Sequence, residues 1–218
     1  MPSKEFLHRL SGFKVLVEMI VDQRTIEPQL VEKDYWLMHC LWGLKNQNMH
    51  FDLKGGTSLS KGWGIINRFS EDVDIQIVPP DGMDVKSGKN HDKPAHIESR
   101  SRFFQWVADT LSIPGISVAR DHEFDDAEKR NAGIRLNYES VFPSMAGLKP
   151  YVLLEVGFDT TTPNTPMDIS SWVYDHASSL QSDFMDNRAL AITCYNPEYT
   201  LIEKLDAILR KFRQQQQN

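Results

Sequence analysis

The sequence predicts a mixed α/β (α+β) fold in which helices come first and a sheet interrupted by further helices follows. Apolar residues recur at helical spacing through residues 4–22 and 28–45, which indicates two helices that pack on a core. Residues 72–78 instead alternate between polar and apolar side chains, as a strand with two unlike faces does. The helical spacing early in the chain and the alternation further on together favour a sheet flanked by helices.

The composition is that of a globular protein. The chain has 218 residues, of which 40% are hydrophobic and 25% charged, so it is long enough to form one domain or two small ones. It contains no run of about 18 apolar residues, so we expect no membrane span, and its start lacks the apolar segment of a secretory signal. Two distant cysteines, Cys40 and Cys194, predict no disulfide framework or zinc cluster, and a cytoplasmic location is the simplest.

Charge is distributed unevenly along the chain. The formal net charge is −6, with 9 basic against 7 acidic residues in 1–70, 11 against 21 in 71–200, and 4 against 2 in 201–218. This balance argues against a broadly basic surface for nucleic acid. Solvated acidic loops account for most of the acidic middle, and a metal site would account for part of it. A polyanionic substrate would depend on basic groups from the two ends.

The first two elements are predicted as helices that pack on the core. Residues 4–22 place apolar side chains at helical spacing, and a second helix is predicted over 28–45. Pro28 suits the first turn of that helix, because the proline nitrogen has no hydrogen to leave unpaired there.

A short strand is predicted at 51–54, ending in Gly-Gly, and a short helix at 57–64 follows it. In the strand at 72–78, Asp72 and Asp74 share one face while Val73 and Ile75 share the other. Residues 79–94 are rich in Pro, Gly, Asp and Lys, which is typical of a loop. A helix at 95–112 comes next.

The second half of the chain predicts most of the sheet. Strands are expected at 116–123, 132–140 and 150–158, and another at 189–194. Residues 160–188 are polar and rich in turn formers, with one short element around Trp172. A last helix is predicted over 197–213, with Asn196 as its cap and Pro197 in its first turn.

Two aspartates open the strand at 72–78 and indicate a metal site. Phosphoryl and nucleotidyl transfer both build negative charge on a phosphate, which a magnesium ion neutralises while it orients the reacting oxygens. Magnesium prefers oxygen ligands and takes few carboxylates from a protein. Asp72 and Asp74 lie two residues apart on one face of a strand, so they are candidate catalytic residues and ligands of Mg²⁺.

The preceding stretch, Lys54-Gly55-Gly56-Thr57-Ser58, indicates a phosphate-binding turn. Its glycines allow a close approach of the backbone to a ligand, the following helix offers free N–H groups, and Lys54 with the two hydroxyls adds donors. It is not a Walker A loop, because that spacing of glycine and lysine is absent. The glycine turn alone, or the aspartate pair alone, also fits a surface turn or a solvated acidic strand end. The combination of the two indicates an enzyme that acts on a nucleoside triphosphate.

These residues carry a resemblance to a known family. The arrangement resembles the nucleotidyltransferase superfamily that includes DNA polymerase beta. More narrowly, Lys54–Lys61 with Arg68–Ile75 is similar to the AbiEii/AbiGii toxin family of type IV toxin–antitoxin and phage-abortive systems, to which the MenT toxins are related. The stretches Glu32–Leu37 and Leu201–Leu205 also resemble that family, so the resemblance spans about residues 28–210.

The resemblance implies a third carboxylate on a later strand, and Glu155 matches it best. Glu155 stands in an otherwise apolar strand, where an unpaired carboxylate would be costly. It is therefore a candidate third metal ligand, or the base that deprotonates an attacking hydroxyl. The alternatives are that Glu155 lies on a solvated face or pairs with Arg135.

The resemblance also implies cations for the nucleotide. Lys204 matches a lysine that contacts the triphosphate, and the alternative is a solvated helix charge paired with Glu203 or Glu198. Lys33 is a substrate-facing cation by resemblance, or otherwise forms an ion pair on the helix surface. Arg68 either steadies the aspartate strand or binds a phosphate.

As a whole, the resemblance implies a nucleotidyltransferase-type mixed sheet and a magnesium-dependent nucleotidyltransferase toxin. Such an enzyme moves a nucleoside monophosphate from an NTP to an acceptor, with tRNA the first candidate acceptor and a cognate antitoxin as partner. The alternatives are transfer to a protein or small molecule, and a nucleotide-binding module that is inactive without its C-terminal part.

Two regions are expected. Residues 1–195 would form the nucleotidyltransferase domain with its N-terminal helices, and 196–218 would begin a C-terminal helical region. The resemblance implies an Arg-Asp-containing motif beyond the helix of Glu203 and Lys204, and the sequence from that helix to Asn218 does not contain it, so we expect that region to be truncated.

Overall fold

The computed structural model describes residues 4–88, 90–158, 160–180 and 183–216. A 3₁₀ turn at Leu7–Arg9 precedes helices α1 (Phe13–Arg24) and α2 (Pro28–Asn46). The expectation of one helix over 4–22 is therefore wrong in its first half. The chain is extended at Leu10, and α1 begins only after Gly12, because Ser and Gly are weak helix formers that favour a break.

Within the described residues, seven strands form one mixed sheet, which confirms the predicted α/β class. Along the sheet the strands are ordered β3-β4-β5-β2-β1-β7-β6. The pairs β1/β7 and β2/β5 are parallel, and the other four pairs are antiparallel. Their bounds are β1 His50–Lys54, β2 Asp72–Val78, β3 Ile116–Asp121, β4 Asn131–Tyr138, β5 Tyr151–Gly157, β6 Asn164–Ile169 and β7 Ala189–Tyr195.

In the ranges that the structure describes, four further α-helices connect and flank the strands. Immediately after β1 comes the short α3 (Gly55–Thr57), which continues as a π-helical turn at Ser58–Gly62. The others are α4 (Pro94–Thr110), α5 (Trp172–Ser179) and α6 (Pro197–Gln216), and a 3₁₀ turn (His122–Phe124) follows β3. Among the described residues, no helix is both long and apolar enough to cross a lipid bilayer.

One strand, β6, was missed by sequence reasoning. It lies at the edge of the sheet beside β7, and its sequence, Asn-Thr-Pro-Met-Asp-Ile, contains a proline that weakens any strand pattern. Prolines are tolerated in edge strands, where one side of the backbone makes no ladder bonds. The short element expected near Trp172 is α5, which Ser171 caps by accepting a hydrogen bond from the backbone N–H of Tyr174.

The apolar face of β2 anchors the sheet in the core. Val73, Ile75 and Ile77 are at most 1% exposed, and they belong to the same hydrophobic cluster as the buried face of α2. Because side chains alternate along a strand, Asp72 and Asp74 point to the opposite face.

Two histidines, the buried His39 and the half-buried His8, lie in an aromatic cluster at the N-terminal turn. His39 is 0% exposed; its Nε2 donates to the Pro114 carbonyl oxygen at 2.8 Å, and its Nδ1 accepts from Asn187 Nδ2 at 2.9 Å. His8 Nδ1 lies 2.9 Å from the Tyr35 hydroxyl. Burial lowers the pKa of His39 to about 4 and that of His8 to about 3.

These histidines predict a loss of stability in mild acid. The pKa of His39 falls from 6.5 to about 4 on folding, so the unfolded chain binds the proton more readily. The contribution of neutral His39 to the free energy of unfolding is complete above pH 6.5 and is lost as the pH falls towards 4. At pH 5.5 we expect His39 alone to lower the free energy of unfolding by about 1.4 kcal/mol relative to pH 8.

Urea unfolding between pH 8 and pH 5 measures this effect. His39→Gln is expected to flatten the pH dependence, whereas His50→Gln, at an exposed position, is expected to keep it. Equal slopes for both variants would contradict the role of His39.

Candidate active site

Three carboxylates lie side by side on the polar face of the sheet. The parallel pairing of β2 with β5 sets Asp74 beside Glu155, and Asp72 precedes Asp74 on the same face. The antiparallel pairing of β1 with β2 brings Lys54 beside Asp74. The sheet therefore gathers the three predicted carboxylates and one predicted cation.

The carboxylates perturb one another. Burial raises the pKa of Asp74, and the charge of Asp72 raises it further, while Lys54 and Lys204 oppose the shift. Burial and the charges of Asp74 and Asp72 raise the pKa of Glu155. Closely spaced like charges disfavour full ionisation. A cation bound between these carboxylates would therefore favour their ionised forms.

The glycine turn after β1 lies against these carboxylates. Gly55 has φ +70°, and a Cβ at this position would lie 2.0 Å from Asp74 Oδ2. At Gly56, a Cβ would lie 2.7 Å from the Ser70 hydroxyl and 3.3 Å from Arg68 Nη2. Both glycines are thus required by close approach, and Arg68 reaches the turn from the loop before β2.

The side chains of Thr57 and Ser58 are less accessible to a ligand than the sequence suggests. Thr57 and Ser58 are both 0% exposed. The Thr57 hydroxyl donates to the backbone carbonyl oxygen of Asp72 at 2.5 Å. In this conformation Thr57 fixes the turn to the start of β2.

A cation that sequence reasoning missed also lies at the site. Lys149 Nζ donates to both carboxylate oxygens of Asp72, at 2.8 and 2.9 Å. Lys149 lies in the loop before β5, 77 residues from Asp72. No local pattern marks it, because only the sheet pairing brings that loop to β2.

The charged triplet Glu32-Lys33-Asp34 of α2 holds the segments around the site. Lys33 is 0% exposed and donates to Glu71 Oε2 at 3.0 Å and to the Lys149 carbonyl oxygen at 2.9 Å. The expectation of a substrate-facing Lys33 is therefore wrong, and the ion pair expected as its alternative forms with Glu71 in the interior and not on the helix surface. Burial lowers the pKa of Lys33, and Glu71 opposes that shift.

The other two members of the triplet hold further segments. Glu32 accepts from the Ser140 hydroxyl at 2.5 Å and from the Val141 N–H at 3.0 Å. Asp34 accepts from Lys61 Nζ at 2.6 Å and from the Trp172 N–H at 2.8 Å. One turn of α2 thereby fixes the 140–141 loop, the π-helical turn and the start of α5.

Arg135, the alternative partner of Glu155, binds another carboxylate, and Lys204 is exposed, as the alternative of a solvated helix charge expected. Arg135 Nε donates to Asp121 Oδ2 at 2.5 Å, and in the strand register Glu155 lies between Asp74 of β2 and Gly133 of β4. Lys204 is exposed on α6, and its charge lowers the pKa of Asp74. Glu203 accepts from the Tyr195 hydroxyl at 3.1 Å.

Open space remains above the end of β5. A cleft of about 1140 Å³ lies between that end and α6, with Phe158, Thr160, Glu203 and Arg210 in its walls. A second cleft of about 850 Å³ starts at Arg68 and Ser70, beside the glycine turn. Both have roughly the size of small-molecule sites.

Within the part of the chain that the structure describes, no group of three or more His, Cys, Asp or Glu residues forms a ready-made metal cluster. Magnesium does not require one, since it keeps water and takes phosphate oxygens besides one or two carboxylates. Asp72 and Asp74 offer only oxygen donors, and the pKa of Asp74 is raised by burial and by the charge of Asp72, so the pair fits such an ion.

A mixed sheet that gathers carboxylates against a glycine turn is the arrangement expected of nucleotidyltransferases. The family model described as nucleotidyl transferase AbiEii toxin, Type IV TA system, matches residues 37–218. The chain belongs to this family, whose name indicates nucleotidyl transferase activity and implies a nucleotide substrate and an antitoxin partner. No curated protein matches the chain.

Gly55→Ala is expected to destabilise the protein more than Gly82→Ala. Both glycines have positive φ, +70° and +84°, but only at Gly55 would the new Cβ meet a neighbour within 4 Å. Both variants therefore lose about 1 kcal/mol to backbone strain, and Gly55→Ala loses roughly 1–3 kcal/mol more by displacing Asp74. Urea unfolding measures the difference, and equal losses would contradict the close approach.

Asp34→Asn is expected to lower the free energy of unfolding by about 3 kcal/mol, because it leaves the charge of Lys61 uncompensated in a buried setting. Asp22→Asn, on the exposed face of α1, is the matched control and should change stability by less than about 0.5 kcal/mol. The same unfolding midpoint for both variants would show that the Asp34 contacts do not hold the site together.

Proposed function

We propose that this protein is a magnesium-dependent nucleotidyltransferase toxin that transfers a nucleoside monophosphate from an NTP to an acceptor. The observation that carries the proposal is the set Asp72, Asp74 and Glu155, placed side by side against the Gly55 turn. It stands in a chain that belongs to a family of nucleotidyl transferase toxins.

Asp72 and Asp74 would hold the magnesium ion, and Glu155 would complete the set as a ligand or as the base. When bound, the ion would neutralise the charge that develops on the phosphate. The acceptor oxygen forms a bond to the α-phosphorus while the bond from that phosphorus to the bridging oxygen breaks. Pyrophosphate leaves, and the hydroxyl proton passes to Glu155 or to solvent.

The leaving phosphates would lie at the turn of Gly55 and Gly56. Lys54 lies beside Asp74 in the sheet, and the Arg68 guanidinium lies against Gly56. Lys204 adds a third positive charge near Asp74. These cations support the assignment of Lys54, Arg68 and Lys204 to the nucleotide, and because the Thr57 and Ser58 side chains are buried, the turn from Gly55 to Ser58 would contribute through its backbone.

For the acceptor we propose tRNA, the first candidate by resemblance to the family, in the cytoplasm and under the control of a cognate antitoxin. We also propose residues 1–195 as the catalytic unit and 196–218 as the beginning of a separate helical region. The exposure of every side chain over 201–216 supports that division.

The test is label transfer. The protein is incubated with each α-labelled NTP, magnesium and total RNA, and compared with the double variant Asp72→Asn/Asp74→Asn. Because the variant lacks the carboxylates proposed to hold the metal, we expect it to lose about a hundredfold or more in rate, and EDTA is expected to abolish transfer by the wild type.

Asp81→Asn, in an exposed loop, is the control that should retain full activity. Equal labelling by the double variant would exclude this mechanism. Label in protein or in small molecules alone would exclude an RNA acceptor, and NTP binding without turnover would favour a nucleotide-binding module.

A further inference from the structure

The most specific contact that the proposed function leaves unused is that of Lys149. Its ammonium lies 2.8 and 2.9 Å from the two oxygens of Asp72, and both side chains are only about a quarter exposed, at 27% and 26%. The same two oxygens are the ones offered to a metal ion.

The backbone of Lys149 is held from both sides. Its N–H donates to Glu71 Oε2 at 3.2 Å, and its carbonyl oxygen accepts from Lys33 Nζ at 2.9 Å. Lys33 is fully buried, and a buried ammonium is unfavourable unless it is paired and hydrogen-bonded. The backbone of Lys149 is therefore fixed from the core.

The sheet order shows on which side of the site Lys149 lies. The glycine turn follows β1 on one flank of β2, and Lys149 precedes β5 on the other flank. In phosphoryl transfer the attacking and leaving oxygens lie roughly in line, on opposite sides of the phosphorus. With the leaving phosphates at Gly55 and Gly56, Lys149 is on the side of the acceptor.

A divalent ion on Asp72 would compete with the ammonium for the same oxygens. Once displaced, the ammonium would present up to three N–H donors next to the attacking hydroxyl. A phosphate is well suited to accept these hydrogen bonds from the Lys149 ammonium. In a nucleic-acid acceptor, a backbone phosphate lies close to the terminal hydroxyl.

We propose that Lys149 binds a backbone phosphate of a nucleic-acid acceptor after the metal has displaced it from Asp72. This inference rests on the proposed function and narrows its acceptor to a phosphate-bearing chain. A protein or small-molecule acceptor without phosphate would gain nothing from Lys149.

Two binding measurements test the proposal on the full chain. In the first, Mn²⁺ is titrated without nucleotide and free Mn²⁺ is followed by electron paramagnetic resonance. Lys149→Met is expected to bind Mn²⁺ about fivefold more tightly, since no partly exposed ion pair has to be broken.

In the second measurement, a fluorescent eight-nucleotide RNA with a free 3′-hydroxyl is titrated in the presence of Mn²⁺ and followed by anisotropy. Lys149→Met is expected to weaken RNA binding about tenfold, because it removes a charge-assisted hydrogen bond. Lys149→Arg, which keeps the charge, should stay within about twofold of wild type, as should Lys93→Met, an exposed lysine used as the matched control.

Unchanged affinity of Lys149→Met for Mn²⁺ or for RNA would overturn the proposal. Weaker binding of a non-hydrolysable NTP analogue, with RNA binding unchanged, would place Lys149 on the triphosphate side and overturn it as well. Both arms measure binding, so they give a result whether or not the wild type transfers a nucleotide. Label transfer that needs Asp72 and Asp74, with unaltered RNA affinity in Lys149→Met, would remove this inference and leave the proposed function standing.

Discussion

Three consecutive charged residues of α2, Glu32, Lys33 and Asp34, are buried and hydrogen-bonded to segments more than 100 residues away in the chain. Burying a charge is unfavourable unless partners replace its water, so each residue requires its segment to be in place. The long loops around the carboxylates would otherwise have many conformations of similar free energy. This turn of α2 selects one of them, and the geometry of the site depends on that selection.

Residues of the triplet contact both flanks of the site. Asp34 fixes Lys61, in the π-helical turn that follows the glycines, whereas Lys33 fixes Glu71 and the backbone of Lys149. The nucleotide side and the opposite side are thus held from adjacent residues of one rigid helix. Asp34 and Lys33 are adjacent in α2, so a movement of either flank strains contacts next to those that hold the other flank. This favours a constant distance between the two sides of the site.

Sequence reasoning predicted the parts that local periodicity encodes. Alternation along β2 predicted its buried face and placed both aspartates on the other face, whereas Glu155 on β5 was selected by the family resemblance, which implies a third carboxylate on a later strand. Helical spacing could not show that Lys33 is buried, because a run of charges on a helix usually faces water. Lys149 and the edge strand β6 were missed for related reasons: the first depends on a pairing between distant strands, and the second contains Pro166, which weakens the strand pattern.

The two cysteines allow movements of this site to be followed in time. Cys194 is fully buried, and its sulfur lies 2.7 Å from where a Cβ of Gly62 would be, beneath the end of the π-helical turn. Burial raises the pKa of its thiol to about 11, so a thiol reagent at neutral pH reacts only after the turn lifts. Cys40 is buried within α2 and becomes reachable only when that helix is exposed. The two labelling rates therefore separate opening of the glycine turn from unfolding of the domain, two events that a single melting curve combines.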